Sequence, residues 1–114
     1  MTRQPSDDEL RIADLIAEMS ERIVQKFNPL RVILFGSHAR GQADVRSDVD
    51  LLVVLDEVED RREAAVEIRR LLSDLPVGKD IVVTTPNEIA RRGEIAGTVL
   101  RHALREGRVL YERS

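Results

Sequence analysis

The sequence predicts a small α/β (α+β) domain, a mixed sheet of three to four strands flanked by about four helices. Three observations carry that prediction. Short apolar runs stand at Arg31–Phe35, Val49–Leu55 and Lys79–Thr84, each of strand length and rich in Val, Ile and Leu. Around them the apolar residues recur at helical spacing instead. A chain of 114 residues holds about one core, so residues 1–114 are read as a single domain.

The elements follow in order. Ser6-Asp7-Asp8-Glu9 has the form of a capping box, with Ser6 as N-cap and Glu9 three residues on. Leu10, Ile12, Ala13, Leu15, Ile16, Met19, Ile23, Val24 and Phe27 then mark an apolar helical stripe, and Asn28-Pro29 ends it. After the first two strands, the acidic link Asp56–Asp60 leads into a helix over Arg61–Leu75. That helix buries Ala64, Ala65, Ile68, Leu71, Leu72 and Leu75, and leaves Arg62, Glu63, Glu67, Arg69 and Arg70 as a solvated face without a role. Pro76-Val77-Gly78 turns the chain into the third strand. Thr85-Pro86-Asn87-Glu88 starts another helical stretch, broken near Gly93. Ile95, Ala96, Val99, Leu100, Ala103 and Leu104 predict a last amphipathic helix over Glu94–Glu106, stopped by Gly107, and Arg108–Tyr111 a short edge strand.

Composition excludes several classes. The chain is 42% hydrophobic and 34% charged, an ordinary balance for a soluble globular protein. It has no apolar run of membrane-spanning length and no signal-peptide pattern, so the expected location is the cytoplasm, with no membrane partner. Without cysteine there is neither a disulfide framework nor a thiolate metal site. A net charge of −3, a pI of about 5.4 and only three aromatic residues, Phe27, Phe35 and Tyr111, argue against direct binding of long nucleic acid.

The chemistry concentrates between Gly36 and Asp50. A strand delivers Gly36-Ser37, and ten residues later Asp48-Val49-Asp50 opens the next strand. Alternation puts Asp48 and Asp50 on one face. Two short-armed carboxylates repel each other unless a cation lies between them, and as oxygen ligands they suit Mg²⁺, which works alongside substrate phosphates. Gly36 lets the backbone approach a ligand closely. Ser37–Arg40 has the length of one helical turn, stopped by Gly41, whose N–H groups would face an anion. The residues therefore read as a triphosphate-and-magnesium site; the bland alternative is a turn followed by a solvated strand start. Asp80 opens an apolar strand as Asp48 and Asp50 do, so it can come alongside them; otherwise it is an Asp after a turn. His38 is read as a neighbour of the motif.

The string Gly36-Ser37-x-Ala39-Arg40-Gly41 … Ser47-Asp48-x-Asp50-Leu51 resembles the signature of the DNA polymerase beta-like nucleotidyltransferases, in particular their small branch, the minimal nucleotidyltransferase (MNT) proteins. The resemblance implies a nucleotidyltransferase core with Asp48, Asp50 and Asp80 as catalytic and metal-binding residues. It implies Gly36, Ser37, Arg40, Arg46 and Ser47 on the nucleotide, ATP as substrate, and Mg²⁺, two ions, as cofactor. MNT proteins of this kind are antitoxins of HEPN ribonuclease toxins encoded by a neighbouring gene, and silence them by transferring AMP to a tyrosine. That implies a hetero-oligomer with the toxin. Two alternatives stay open: a small-molecule nucleotidyltransferase of the aminoglycoside-modifying kind, and a non-catalytic antitoxin that only binds its toxin.

Overall fold

A computed structural model describes residues 4, 6–43 and 46–114. Asp44 and Val45, inside the motif string, lie outside the described residues. The order of elements is α1 (Asp7–Phe27), β1 (Arg31–Phe35), β2 (Val49–Val54), α2 (Arg61–Leu71), β3 (Lys79–Thr84), α3 (Pro86–Arg92), α4 (Val99–Glu106) and β4 (Arg108–Glu112). The mixed sheet and four helices expected from the periodicity are all present.

Each helix starts where a side chain satisfies its free N–H groups. Ser6 Oγ accepts from the Glu9 N–H at 3.1 Å, and Asp60 Oδ1 accepts from Arg62 and Glu63 at 3.0 and 3.1 Å. Thr85 and Thr98 cap α3 and α4 in the same way. The first helix ends on Asn28 in the left-handed region, at φ 47°, with Pro29 forbidding continuation.

One expectation fails at the last helix. The apolar spacing predicts a helix from Glu94, but α4 begins only at Val99. Gly97 turns the chain at φ 83°, and Thr98 then caps the Arg101 N–H at 3.1 Å. Ile95 and Val99 are consequently half exposed rather than core. A helix-period pattern continued through a break that only the backbone of Gly97 sets.

The strand order is β3-β2-β1-β4. β1 pairs antiparallel with β2 and with β4, whereas β2 and β3 are parallel and joined through α2, as a parallel pair requires. In β4 the register slips, leaving Leu110 between the pairs Val32↔Tyr111 and Ile33↔Val109. Odd positions of β2 and β3 and even positions of β1 face the main core, where Val32, Leu34, Leu51, Val53, Ile81 and Val83 meet Met19 and Ile23 of α1 and Ile68 of α2. The other face, with Ile33, Phe35, Leu52 and Val54, is covered by Leu100 and Ala103 of α4. Arg22 fastens α1 to the end of α2 through Asp74 at 2.6 Å, which holds the Asp74 carboxyl below its usual range.

Candidate active site

β1 ends at Phe35 and passes into Gly36 at φ 75°, a conformation costly for any residue with a Cβ. The chain then coils through one turn. The Arg40 N–H donates to the Gly36 carbonyl at 3.3 Å and the Gln42 N–H to the Ser37 carbonyl at 3.0 Å, before Gly41 ends the turn at φ 70°. The N–H groups of Ser37, His38 and Ala39 precede the first of these bonds, so they are oriented as at a helix start, where an anion is favoured.

β2 begins at Val49, with Asp48 one residue before it. The register decides what surrounds the aspartates. Asp50 is the Cα partner of Phe35 on one side and of Asp80 on the other. Paired residues project to the same face, and neighbouring strands lie about 4.8 Å apart, so Asp50 and Asp80 stand side by side over the α4-covered face. Asp48 reaches the same end of the sheet.

Two glycines make room for two carboxylates. A Cβ on Gly36 would lie 2.1 Å from Asp50 Oδ2, and one on Gly78 would lie 2.0 Å from Asp48 Oδ1. The Val49 N–H also donates to the Gly78 carbonyl at 2.8 Å, fixing that glycine against the strand start. Sequence reading treats Gly78 as a turn residue, since its contact with Asp48 arises only from the parallel pairing of β2 with β3.

Burial raises the Asp50 carboxyl above its ordinary value, and the charges of Asp80 and Asp48 push it further up; His38 and Arg40 oppose them. Three carboxylates are therefore close enough to feel one another. His38 also ties the loop: its Nε2 lies 3.0 Å from the Ser47 carbonyl oxygen and, as N–H, donates to it just before Asp48. A histidine read as a bystander thus positions the motif's second half. Arg40 is exposed and bonds Gln42 at 3.1 Å. Arg46 is exposed and Ser47 half-buried, both on the entry to β2.

Asp80 has a partner that the sequence did not suggest. Arg69 Nη2 of α2 lies 3.4 Å from Asp80 Oδ1, with both side chains more than half exposed. The solvated arginine face of α2 therefore touches the site at one residue.

The donor set suits magnesium. Mg²⁺ is held by one or two carboxylates together with substrate phosphates rather than by an all-protein cage. Among the described residues no three acidic or histidine side chains form such a cage. Two carboxylates seated on glycines, with mutual repulsion that a cation would relieve, match the shared kind of site.

Comparison with known proteins bears on the family and the fold. The family model described as "Nucleotidyltransferase domain" matches residues 16–109. "Putative protein adenylyltransferase MJ1305" of Methanocaldococcus jannaschii is 37% identical over 70 residues, covering 60% of this chain and 46% of that protein. The chain thus spans less than half the length of that relative. "Putative protein adenylyltransferase MJ0141" of the same organism is 35% identical over 77 residues, covering 66% of this chain and 77% of the relative. The "Bifunctional uridylyltransferase/uridylyl-removing enzyme" of Methylococcus capsulatus is 32% identical, over 87% of this chain but only 13% of its own length. Among solved structures, a "putative nucleotidyltransferase from Sulfolobus solfataricus" superposes with a TM-score of 0.63 at 22% identity, covering 99% of this chain and 93% of that one. A structure titled "toxin-antitoxin with AMP-PNP" gives 0.57 at 24% identity, covering 86% and 74%. These two likenesses are of fold. The family match runs from α1 to β4 and takes in the Gly-Ser turn and all three aspartates, and on that footing the chain belongs to the nucleotidyltransferase domain family.

Proposed function

We propose that the protein is a Mg²⁺-dependent protein adenylyltransferase that acts as an antitoxin, moving AMP from ATP to a tyrosine hydroxyl of a partner HEPN ribonuclease toxin. The observation that carries the chemistry is the register pairing Asp50 with Asp80, with Asp48 and the Gly-Ser turn at the same sheet end. The relatives named as adenylyltransferases support the nucleotide and a protein acceptor, and the toxin–antitoxin structure supports the biological setting.

Each residue then has a task. Asp48 and Asp50 would hold Mg²⁺ with the β- and γ-phosphates, and Asp80 would join them for a second ion. Bound there, the ions supply charge neutralisation at the phosphates and polarisation of the attacking oxygen. Ser37 and the N–H groups after Gly36 hold the phosphates that leave, with Arg40, Arg46 and Ser47 around them. Asp80 takes the proton of the acceptor hydroxyl. The freed oxygen forms a bond to the α-phosphorus as the bond to pyrophosphate breaks, leaving AMP on the acceptor.

The test uses ATP labelled at the α-phosphate, Mg²⁺ and the product of the neighbouring gene, followed by intact mass of both proteins. Label and one or more AMP masses on the partner, lost with Asp48→Asn, are expected. A tight complex with no label would overturn catalysis in favour of inhibition by binding alone.

A further inference from the structure

The sheet ends in two outer strands, β3 and β4, and they are unlike. β4 carries the register slip at Leu110, whereas β3 keeps one unbroken register against β2 from Lys79 to Thr84. Alternation assigns the backbone groups of β3. The Val49 N–H donates to the Gly78 carbonyl at 2.8 Å and the Leu55 N–H to the Thr84 carbonyl at 2.9 Å. Along a parallel pair such bonds engage every second residue, so Asp80, Val82 and Thr84 turn their N–H and C=O toward β2. Those of Lys79, Ile81 and Val83 point the other way, where no further strand follows among the described residues. There they meet no hydrogen-bond partner among the described residues. Leu51 and Val53, the Cα partners of Ile81 and Val83, are fully enclosed. Ile81 and Val83 each keep 6% of their surface although their side chains lie in the core, as residues at an open edge do.

This open row belongs to the strand that carries Asp80. A strand added along it would lie about 4.8 Å from β3, and its residue opposite Asp80 would project to the same face as the aspartates. A tyrosine at that point is long enough to lean over Asp80. The next residue in the added strand would project to the opposite face, beside α2. Arg69 marks the side of α2 that borders β3, since it reaches Asp80. Val66, about one turn earlier on that side, is 40% exposed and offers such a residue an apolar surface. The β4 edge does not serve this purpose. A segment paired there would lie four strand spacings from β3, about 19 Å, too far for a tyrosine to reach Asp80.

We infer that the open edge of β3 is the docking edge for the acceptor protein. The acceptor adds an extended segment as a further strand, sets its tyrosine opposite Asp80 and lays an adjoining apolar side chain on Val66. This inference rests on the protein-acceptor reading above and gives it a position in the fold. In strand addition the backbone bonds give affinity and the alternating side chains give specificity.

The test is amide hydrogen exchange of the full chain, alone and with the product of the neighbouring gene, in Mg²⁺ without ATP so that nothing is transferred. Alone, the Ile81 and Val83 amides should exchange fast, while those of Val82 and Thr84, bonded to β2, exchange slowly. In the complex the Ile81 and Val83 amides should slow by about tenfold or more. Val66→Lys, at an exposed helix position outside the core, should keep the fold and weaken binding by about tenfold. Ile81 and Val83 amides that are already slow in the free chain, or that stay fast in the complex, would overturn the inference. So would protection confined to β4, or equal binding by Val66→Lys. The proposed function fails separately once ATP is added. Protection of β3 without AMP transfer would remove the catalysis and leave the docking edge, and transfer without protection would do the reverse. A product that neither binds nor accepts AMP would overturn both.

Discussion

The two faces of the four-stranded sheet are covered to different depths. Beneath α1 and α2, side chains from three strands and two helices form one continuous cluster, with Met19, Ile23, Leu34, Leu51 and Ile68 fully enclosed. Beneath α3 and α4, the cluster is smaller, and α3 contributes no fully buried residue to it. The aspartates stand on this second face, beyond the edge of its cover. In a chain of this size one face supplies the cohesion, and the other is left partly open, where charged side chains keep their water. A carboxylate under the deeper core would lack water and partners and would be driven to its neutral form.

Truncating one leucine on each face separates their contributions. Leu51→Ala, under α1 and α2, should cost toward the upper end of ~2–5 kcal/mol, while Leu100→Ala on the thinner side should cost about 2 kcal/mol. Urea unfolding of both variants measures this. Equal losses would mean that the two faces contribute alike.

Backbone changes at the site come next. Gly36→Ala puts a Cβ at φ 75° and into the Asp50 carboxylate, so AMP transfer should fall by about 10²-fold or more, with the fold retained and a lower melting temperature. Gly78→Ala displaces only the Asp48 carboxylate. Its φ is not in the positive region, so the melting temperature should hardly move while Mg²⁺ affinity drops by about tenfold, as calorimetry would show. An unchanged affinity would deny that the room Gly78 leaves for the Asp48 carboxylate matters to a cation.

The titration of Asp50 sharpens the contrast further. Its carboxyl is raised in the fold, so its contribution to stability is present in full below the unfolded carboxylate pKa, near 4. It is lost as the pH rises through the higher folded value. Asp50→Asn should remove this loss. In the absence of metal the variant should melt slightly higher than wild type at pH 7 and lose the stabilisation by Mg²⁺. A variant that melts lower without metal would contradict the repulsion between these carboxylates.

The smallest effect belongs to Arg69. An exposed ion pair is worth about 0–1 kcal/mol, so Arg69→Ala should leave stability nearly unchanged. It should tighten Mg²⁺ binding in the presence of ATP by freeing the Asp80 carboxylate, a change of a few-fold read by titration.

How much of this was legible in the sequence follows from the range over which each feature is determined. Gly36, Ser37, Asp48 and Asp50 sit within one hairpin, where alternation and a glycine turn fix their relation locally, and the structure places them together. Asp80 could be read only as the start of another apolar strand; its pairing with Asp50 is set by the crossover through α2. The same crossover brings Gly78 under Asp48 and Arg69 onto Asp80, and neither contact leaves a trace in local spacing. His38 carried no periodic signal, since a hydrogen bond to a carbonyl nine residues away depends on how the intervening loop folds back. At Ile95 and Ala96 the opposite holds: the local pattern is clear, and one glycine dihedral overrules it.

The slipped register at Leu110 bears on behaviour in crowded solution. β4 is the outer strand on its side of the sheet, and a regular outer strand offers its open row of N–H and C=O groups to any extended chain it meets. The extra residue dislocates that row midway, and Arg108 and Glu112 put charge at either end of it. Such a strand is a poor template, so concentrated protein should resist growing into fibrils by edge-to-edge stacking.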